Sequence, residues 1–168
     1  MKIDDKADQG SFVLVPVGVH PARVVKLERG TTKGNADKAP HEYIRVSFKT
    51  LDDSSGFVND SLHLTDASVK RFKSLYYAVG GGPAFDTDDM TEVNEALMGR
   101  TLMLDVKHRE YTNSNGELKR VAEPKAWDGF IRMTADEKER WPDGSAATGP
   151  EPGESKPTDD DDDSDLPF

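Results

Sequence analysis

Two chemistries alternate along residues 42–51. Ile44, Val46 and Phe48 fall on one side of an extended chain, and Tyr43, Arg45, Ser47 and Lys49 fall on the other. An aromatic ring beside two cations suits a single strand of nucleic acid. Bases stack on aromatic faces at about 1–3 kcal/mol each, while cations follow the phosphates. The pattern recurs near residue 109, where Lys107, Arg109 and Tyr111 lie opposite Leu104 and Val106. Lys119, Arg120 and Lys125 follow on the returning segment, and Lys33 and Lys38 occupy a polar loop before Tyr43. Phe57 opens another extended run, where it either stacks a base or closes the end of the fold. For any one of these residues a plain solvated strand is the stronger reading. Two strands with the same pattern opposite an apolar face favour a binding surface.

The C-terminal end carries a second kind of chemistry. Asp159 to Asp163 is an unbroken acidic run, followed by Ser164-Asp165-Leu166-Pro167-Phe168. A solubilising tail explains the aspartates but not an apolar Leu-Pro-Phe ending. Pro167 restricts its own backbone and lowers the entropy lost on docking. Phe168 sets an apolar ring beside the α-carboxylate, so a pocket with a basic rim can grip both. The aspartates would steer that tip toward a basic ridge.

Other chemistries find little support. The chain has no cysteine, which excludes disulfides, thiolate metal sites and cysteine nucleophiles. His20, His41, His63 and His108 show no short metal-ligand spacing. Asp86-Thr87-Asp88-Asp89 with Glu92 lacks the glycine and final glutamate of a calcium loop. Gly80-Gly81-Gly82 follows a helical pattern instead of preceding one, the wrong geometry for cradling phosphate. The expectation is a protein that is not an enzyme and uses no cofactor or metal.

The net charge of −10 argues against nucleic acid until its distribution is considered. Residues 142–168 hold nine acids and one base, Lys156, which leaves only −2 for residues 1–141. A near-neutral body can still present a basic face, because phosphate recognition depends on local charge. No apolar run reaches the roughly 18 residues of a membrane span, and the polar start has no signal-peptide core.

The elements that would position these residues are legible in the spacing. Strands are expected at His20–Arg29, Glu42–Leu51, Phe57–Leu64, Thr101–Tyr111 and Leu118–Trp127. The last two are joined by the hairpin signal Asn113-Ser114-Asn115-Gly116. A helix over Asp66–Val79, capped by Thr65 or Asp66, carries the stripe Val69, Phe72, Tyr76, Val79 and stops at Gly80. Shorter helices are expected at Thr91–Met98 and at Thr134–Trp141, the latter with a Thr134/Glu137 capping box. Tyr76 and Tyr77 read as helix-packing residues, and Trp127 as a core or cap residue.

Three strands, a helix and a hairpin form the element order of an OB-fold, a small five-stranded barrel of mainly β class. The expected organisation is a flexible leader (1–10), an OB-fold domain (11–130), a short helix (131–141) and a disordered acidic tail (142–168) with its tip.

The final Asp161-Asp162-Asp163-Ser164-Asp165-Leu166-Pro167-Phe168 resembles the C-terminal tip of bacterial and phage single-stranded DNA-binding proteins. Those end in several acids, an aliphatic residue, Pro and Phe. Ser164 interrupts the acidic run, which weakens steering slightly. The body resembles phage-encoded members through Gly18-Val19-His20-Pro21-Ala22-Arg23-Val24, a Gly-x-x-x-Ala-x-Val opening. It departs from the common bacterial version in the extra segment Gly81–Arg100 and in its sparse aromatics. The resemblance implies a protein of the bacterial cytoplasm that coats single-stranded DNA in replication, recombination or repair. Its tip would recruit replication and recombination proteins. A strand-annealing recombination factor and an interaction module that binds no DNA are the alternatives. Monomer and dimer both stay open.

Overall fold

The computed structural model describes residues 13–144. Residues 1–12, with the expected leader, and residues 145–168, including the acidic run and the tip, lie outside the described residues. The fold is mainly β, one antiparallel sheet of six strands. Its strands are β1 (Gly18–Thr31), β2 (Glu42–Thr50), β3 (Phe57–His63), β4 (Thr101–Thr112), β5 (Leu118–Pro124) and β6 (Phe130–Ile131). Helices α1 (Val69–Ala78) and α2 (Met90–Leu97) lie between β3 and β4, and α3 (Ala135–Arg140) follows β6.

Strand β1 serves two neighbours. Gly18–Arg23 pair with β4, and Ala22–Thr31 pair with β2. A register shift between Val24 and Lys26 inserts an extra residue where the partners change over, the kind of bulge that bends a strand and increases its twist. Gly99 and Arg100 brace the bend through Gly99 N–H to Val24 O and Val24 N–H to Arg100 O, both 2.9 Å.

The hydrogen-bonded path runs β3-β2-β1-β4-β5, with β6 on β4, and does not close into a barrel. Its two ends, β3 and β5, lie side by side without a ladder. Arg71 of α1 spans this seam. It pairs with Asp60 of β3 at 2.5 Å, donates through Nε to Ala126 O at 3.1 Å, and stacks over Phe130 at 5.2 Å. Burial pushes the Asp60 carboxyl upward, and Arg71 opposes that rise.

The core collects the inward face of every long strand. Val24, Ile44, Val46, Phe48, Val58, Leu102, Leu104 and Val106 are fully buried. Helix α1 adds Phe72, Leu75 and Ala78, with Val79 buried just after it, so the expected stripe holds at Phe72 and Val79 but is turned at its other two positions. Val69 and Tyr76 are only half-buried; Tyr76 leans on Phe85 and donates to Pro83 O. The cap also differs. Thr65 accepts from Ser68 N–H in a turn before α1, and Ser68 itself is the cap residue without a side-chain bond.

Two aromatic expectations are corrected. Trp127 is 75% exposed, because the chain leaves β5 at Pro124 and turns outward over residues 125–129 before returning as β6. Tyr77 is 64% exposed and carries Arg132 over its ring at 4.8 Å. Strand β6 was invisible to pattern reading, being two residues long. It exists because Gly129 can approach Lys125: a Cβ there would collide with the Lys125 backbone.

Three residues of the expected tail are bonded to the body. Asp143 accepts from Thr101 N–H at 2.7 Å, Thr101 Oγ1 at 3.0 Å and Lys138 Nζ at 2.6 Å. Gly144 N–H donates to Gly99 O, and Arg23 donates to Pro142 O.

Truncating Phe48 to Ala should cost about 3–5 kcal/mol in urea unfolding, the usual loss for a fully buried aromatic. Asp143 makes stability pH-dependent. Burial raises its carboxyl, but bonds from Lys138 and Thr101 outweigh that and hold it below the ordinary carboxylate value. Its contribution is therefore present at neutral pH and lost as pH falls through the lowered folded value. Asp143→Asn should flatten the acid limb of the stability curve and cost about 1–2 kcal/mol at neutral pH, read by thermal melts.

Candidate nucleic-acid interface

The outward face of β2 is built as its alternation requires. Tyr43, Arg45, Ser47 and Lys49 point away from the core, and register sets what lies beside them. Across β3 the neighbours are His63, Ser61, Asn59 and Phe57. Across β1 they are Gly30, Glu28, Lys26 and Arg23. Lys49 Nζ lies 5.5 Å from the centroid of Phe57, which is 52% exposed. Phe57 therefore stands on the solvent face and does not close the core. Ser47 Oγ donates to Asn59 Oδ1 at 2.6 Å.

Tyr43 lies flat across β1 because residue 30 is glycine. A Cβ at Gly30 would collide with the Tyr43 ring. On its other side the Tyr43 ring meets His63 at 5.8 Å, and His63 meets His41 edge-on at 4.9 Å. The face thus runs from a His41–His63–Tyr43 cluster through Arg45 to the Lys49–Phe57 pair. Sequence reasoning considered the two histidines only as metal ligands. Extending the period-two reading to β3 would have placed His63, Ser61 and Asn59 on this face.

The cations divide into two groups. Among the described residues, Lys33, Lys38, Arg45 and Lys49 make no ion pair, whereas Lys26 holds Glu28 at 3.2 Å. On the β4–β5 hairpin nearly every cation is matched. Glu123 serves both Lys107 at 3.6 Å and Arg109 at 2.9 Å. Lys119 lies 3.7 Å from Glu117, Arg120 2.8 Å from Glu110, and Lys125 3.0 Å from Asp105. The Glu123 bond also raises the Arg109 guanidinium.

Register divides the hairpin further. Tyr111 pairs with Lys119, and Arg109 with Val121, on one side; Glu110 pairs with Arg120 on the other. Lys119 and Arg120, adjacent in sequence, therefore serve opposite faces. Arg109 lies over Tyr111 at 5.7 Å, so the cation–aromatic motif recurs here. Lys33 and Lys38 sit in the β1–β2 loop, where Asn35 Oδ1 accepts from Asp37 and Lys38 N–H at 2.8 Å.

The remaining histidines hold the fold. His20 bridges Asp52 at 2.7 Å and Pro16 O at 2.8 Å, and His108 bonds Val15 O at 2.7 Å. Among the described residues no group of three or more His, Asp or Glu is placed to hold a metal. Among the same residues no helix is long and apolar enough to cross a membrane.

No curated protein matches the chain. A family model described as "Protein of unknown function (DUF669)" matches residues 2–129. The matched stretch takes in β1 to β5 with both intervening helices and ends just before β6. Because it covers most of the 168 residues, the chain belongs to the DUF669 family.

Proposed function

We propose that this protein binds single-stranded DNA with little sequence preference, on an OB-type scaffold, and recruits partners through its acidic C-terminal tip. The observation that carries the reading is the outward β2–β3 face. It sets Tyr43, His63 and Phe57 beside Arg45 and Lys49, two cations with no carboxylate partner among the described residues. Bases stack on such rings, and unpaired cations gain most from phosphate.

The scaffold reading draws on strand order. An OB barrel joins its third and fifth strands, and here β3 and β5 lie together with Arg71 bridging the seam. The helix between β3 and β4 and the β1–β2 and β4–β5 loops fit the same plan. The fitting role is a phage-encoded coating protein acting in replication and recombination in the bacterial cytoplasm. Asp161, Asp162, Asp163, Asp165, Leu166, Pro167 and Phe168 would form the docking tip.

The described chain ends beside this face. Gly144, the last described residue, lies against Arg23, which is in register with Lys49. The fourteen residues between Gly144 and Asp159 reach about 20 Å as a polar linker, so Asp159 can return over the basic face.

Labelled oligo-dT anisotropy over a salt series tests the binding face. Arg45→Glu with Lys49→Glu should weaken affinity more than tenfold and reduce the salt slope by about 0.7 for each phosphate that is no longer neutralised. Arg109→Glu should matter less, because Glu123 already neutralises that site. Wild-type binding by the double variant would remove the β2 face from the reading. Deleting residues 159–168 should tighten oligo-dT binding at low salt, and the gain should vanish as salt screens the aspartates. Unchanged low-salt affinity would count against a tail that competes for the face.

A further inference from the structure

An open groove of about 500 Å³ lies between the β1–β2 loop and the start of α1, lined by Lys38, Pro40, His41, His63, Thr65 and Ser68. At its wall, His41 Nε2 and His63 Nδ1 face each other at 2.8 Å. Only one proton fits between two such nitrogens. His41 is held from behind, its backbone N–H on Thr32 Oγ1 at 3.0 Å and its Nδ1 3.4 Å from Ala39 O. His41 Nδ1 lies equally close, at 3.4 Å, to Thr32 Oγ1, and in the tautomer that puts its proton on the Ala39 carbonyl His63 is the donor within the pair. His63 Nε2 is then an acceptor with no hydrogen-bond partner among the described residues.

The charges around His63 determine what the groove accepts. Lys38 approaches from the loop, His41 and Tyr43 from the β2 side, Asp60 from β3 and Arg71 from α1. Asp60 is the anion in this set, and Arg71 already holds it at 2.5 Å. Glu42, beside His41 in sequence, is bound by Arg29. Burial, and then the neighbouring His41, push the His63 imidazole below its ordinary value. A second proton on the pair would therefore lack a counter-charge, and an anion in the groove would provide one.

We infer that this groove is a phosphate subsite of the nucleic-acid face, where a backbone phosphodiester of single-stranded DNA sits between Lys38 and His63 and brings a proton onto the histidine pair. This rests on the β2–β3 face being the DNA surface. It adds where the strand is gripped at the β1–β2 loop and how pH regulates that grip. The proton adds to His63 Nε2 from solvent, no covalent bond to DNA forms, and the imidazolium then donates to a phosphate oxygen. Binding and protonation are linked, so affinity rises as pH falls through the histidine range, by about tenfold per unit for one whole proton.

Titration calorimetry of the full chain with oligo-dT near pH 6.5, in two buffers of different ionisation heat, counts the protons directly. Uptake of about one proton is expected in the wild type, falling close to zero in His63→Gln while weaker binding persists. Lys38→Gln, at an exposed loop position, should weaken binding several-fold and leave the uptake in place. Binding without proton uptake in the wild type overturns the inference and leaves the proposed function standing, whether or not His63→Gln folds. Uptake unchanged in a folded His63→Gln overturns it as well. If the wild type binds no oligo-dT at low salt at any pH from about 6 to 8, the DNA-binding reading itself fails. Inorganic phosphate should compete only weakly. Tight phosphate binding that leaves oligo-dT affinity unchanged would assign the groove to a free anion and overturn the subsite.

Discussion

The pairing of β1 with two different strands is the constraint on which the rest of the structure depends. Its first six residues complete a ladder with β4, and its later residues complete one with β2. A straight strand would carry both partners in one flat sheet with little enclosed volume. The shift at Val24/Lys26 lets the strand bend while Ala22, Val24 and Leu27 all stay on the buried side. The sheet then curls until β3 and β5 meet, and α1 fills the open end with Phe72, Leu75 and Ala78. Losing the bend would separate the inward faces that bury Phe48 and Leu104.

Polar side chains complete what the ladders leave open. Arg71 bridges β3 and the chain after β5, using an ion pair, a backbone carbonyl and an aromatic face together. His20 and His108 hold Val15 and Pro16 against the body. Asp143 ties the chain after α3 to the start of β4. Each bond joins segments that the backbone ladders do not reach.

The proposed binding face follows from the same curvature. Bending β1 sets the outward side of β2 and β3 as one face, where Arg45, across from a Glu28 held by Lys26, and Lys49 make no ion pair among the described residues and rings stand at Tyr43, His63 and Phe57. The β4–β5 hairpin is also rich in cations, yet nearby acids meet them within 3.7 Å. A phosphate there must first displace a carboxylate. Counting cations along the chain therefore overstates the hairpin relative to β2.

Much of this protein is written in local pattern. Alternation over 42–50 specifies both the inward Ile44, Val46, Phe48 and the outward Tyr43, Arg45, Lys49, because side chains on a strand alternate whatever the fold. The Asn113–Gly116 turn, the Thr134/Glu137 capping box and the Gly80 helix stop were equally legible, since each depends on residues within a few positions. The acidic run and Leu166-Pro167-Phe168 are also read from sequence alone. Tertiary structure decided the rest. It fixed which acids neutralise which cations, the meeting of His41 with His63 across twenty-two positions, the outward turn that exposes Trp127, and β6. These depend on strand register and chain return, which sum many weak contacts between distant segments and leave no mark at any single residue.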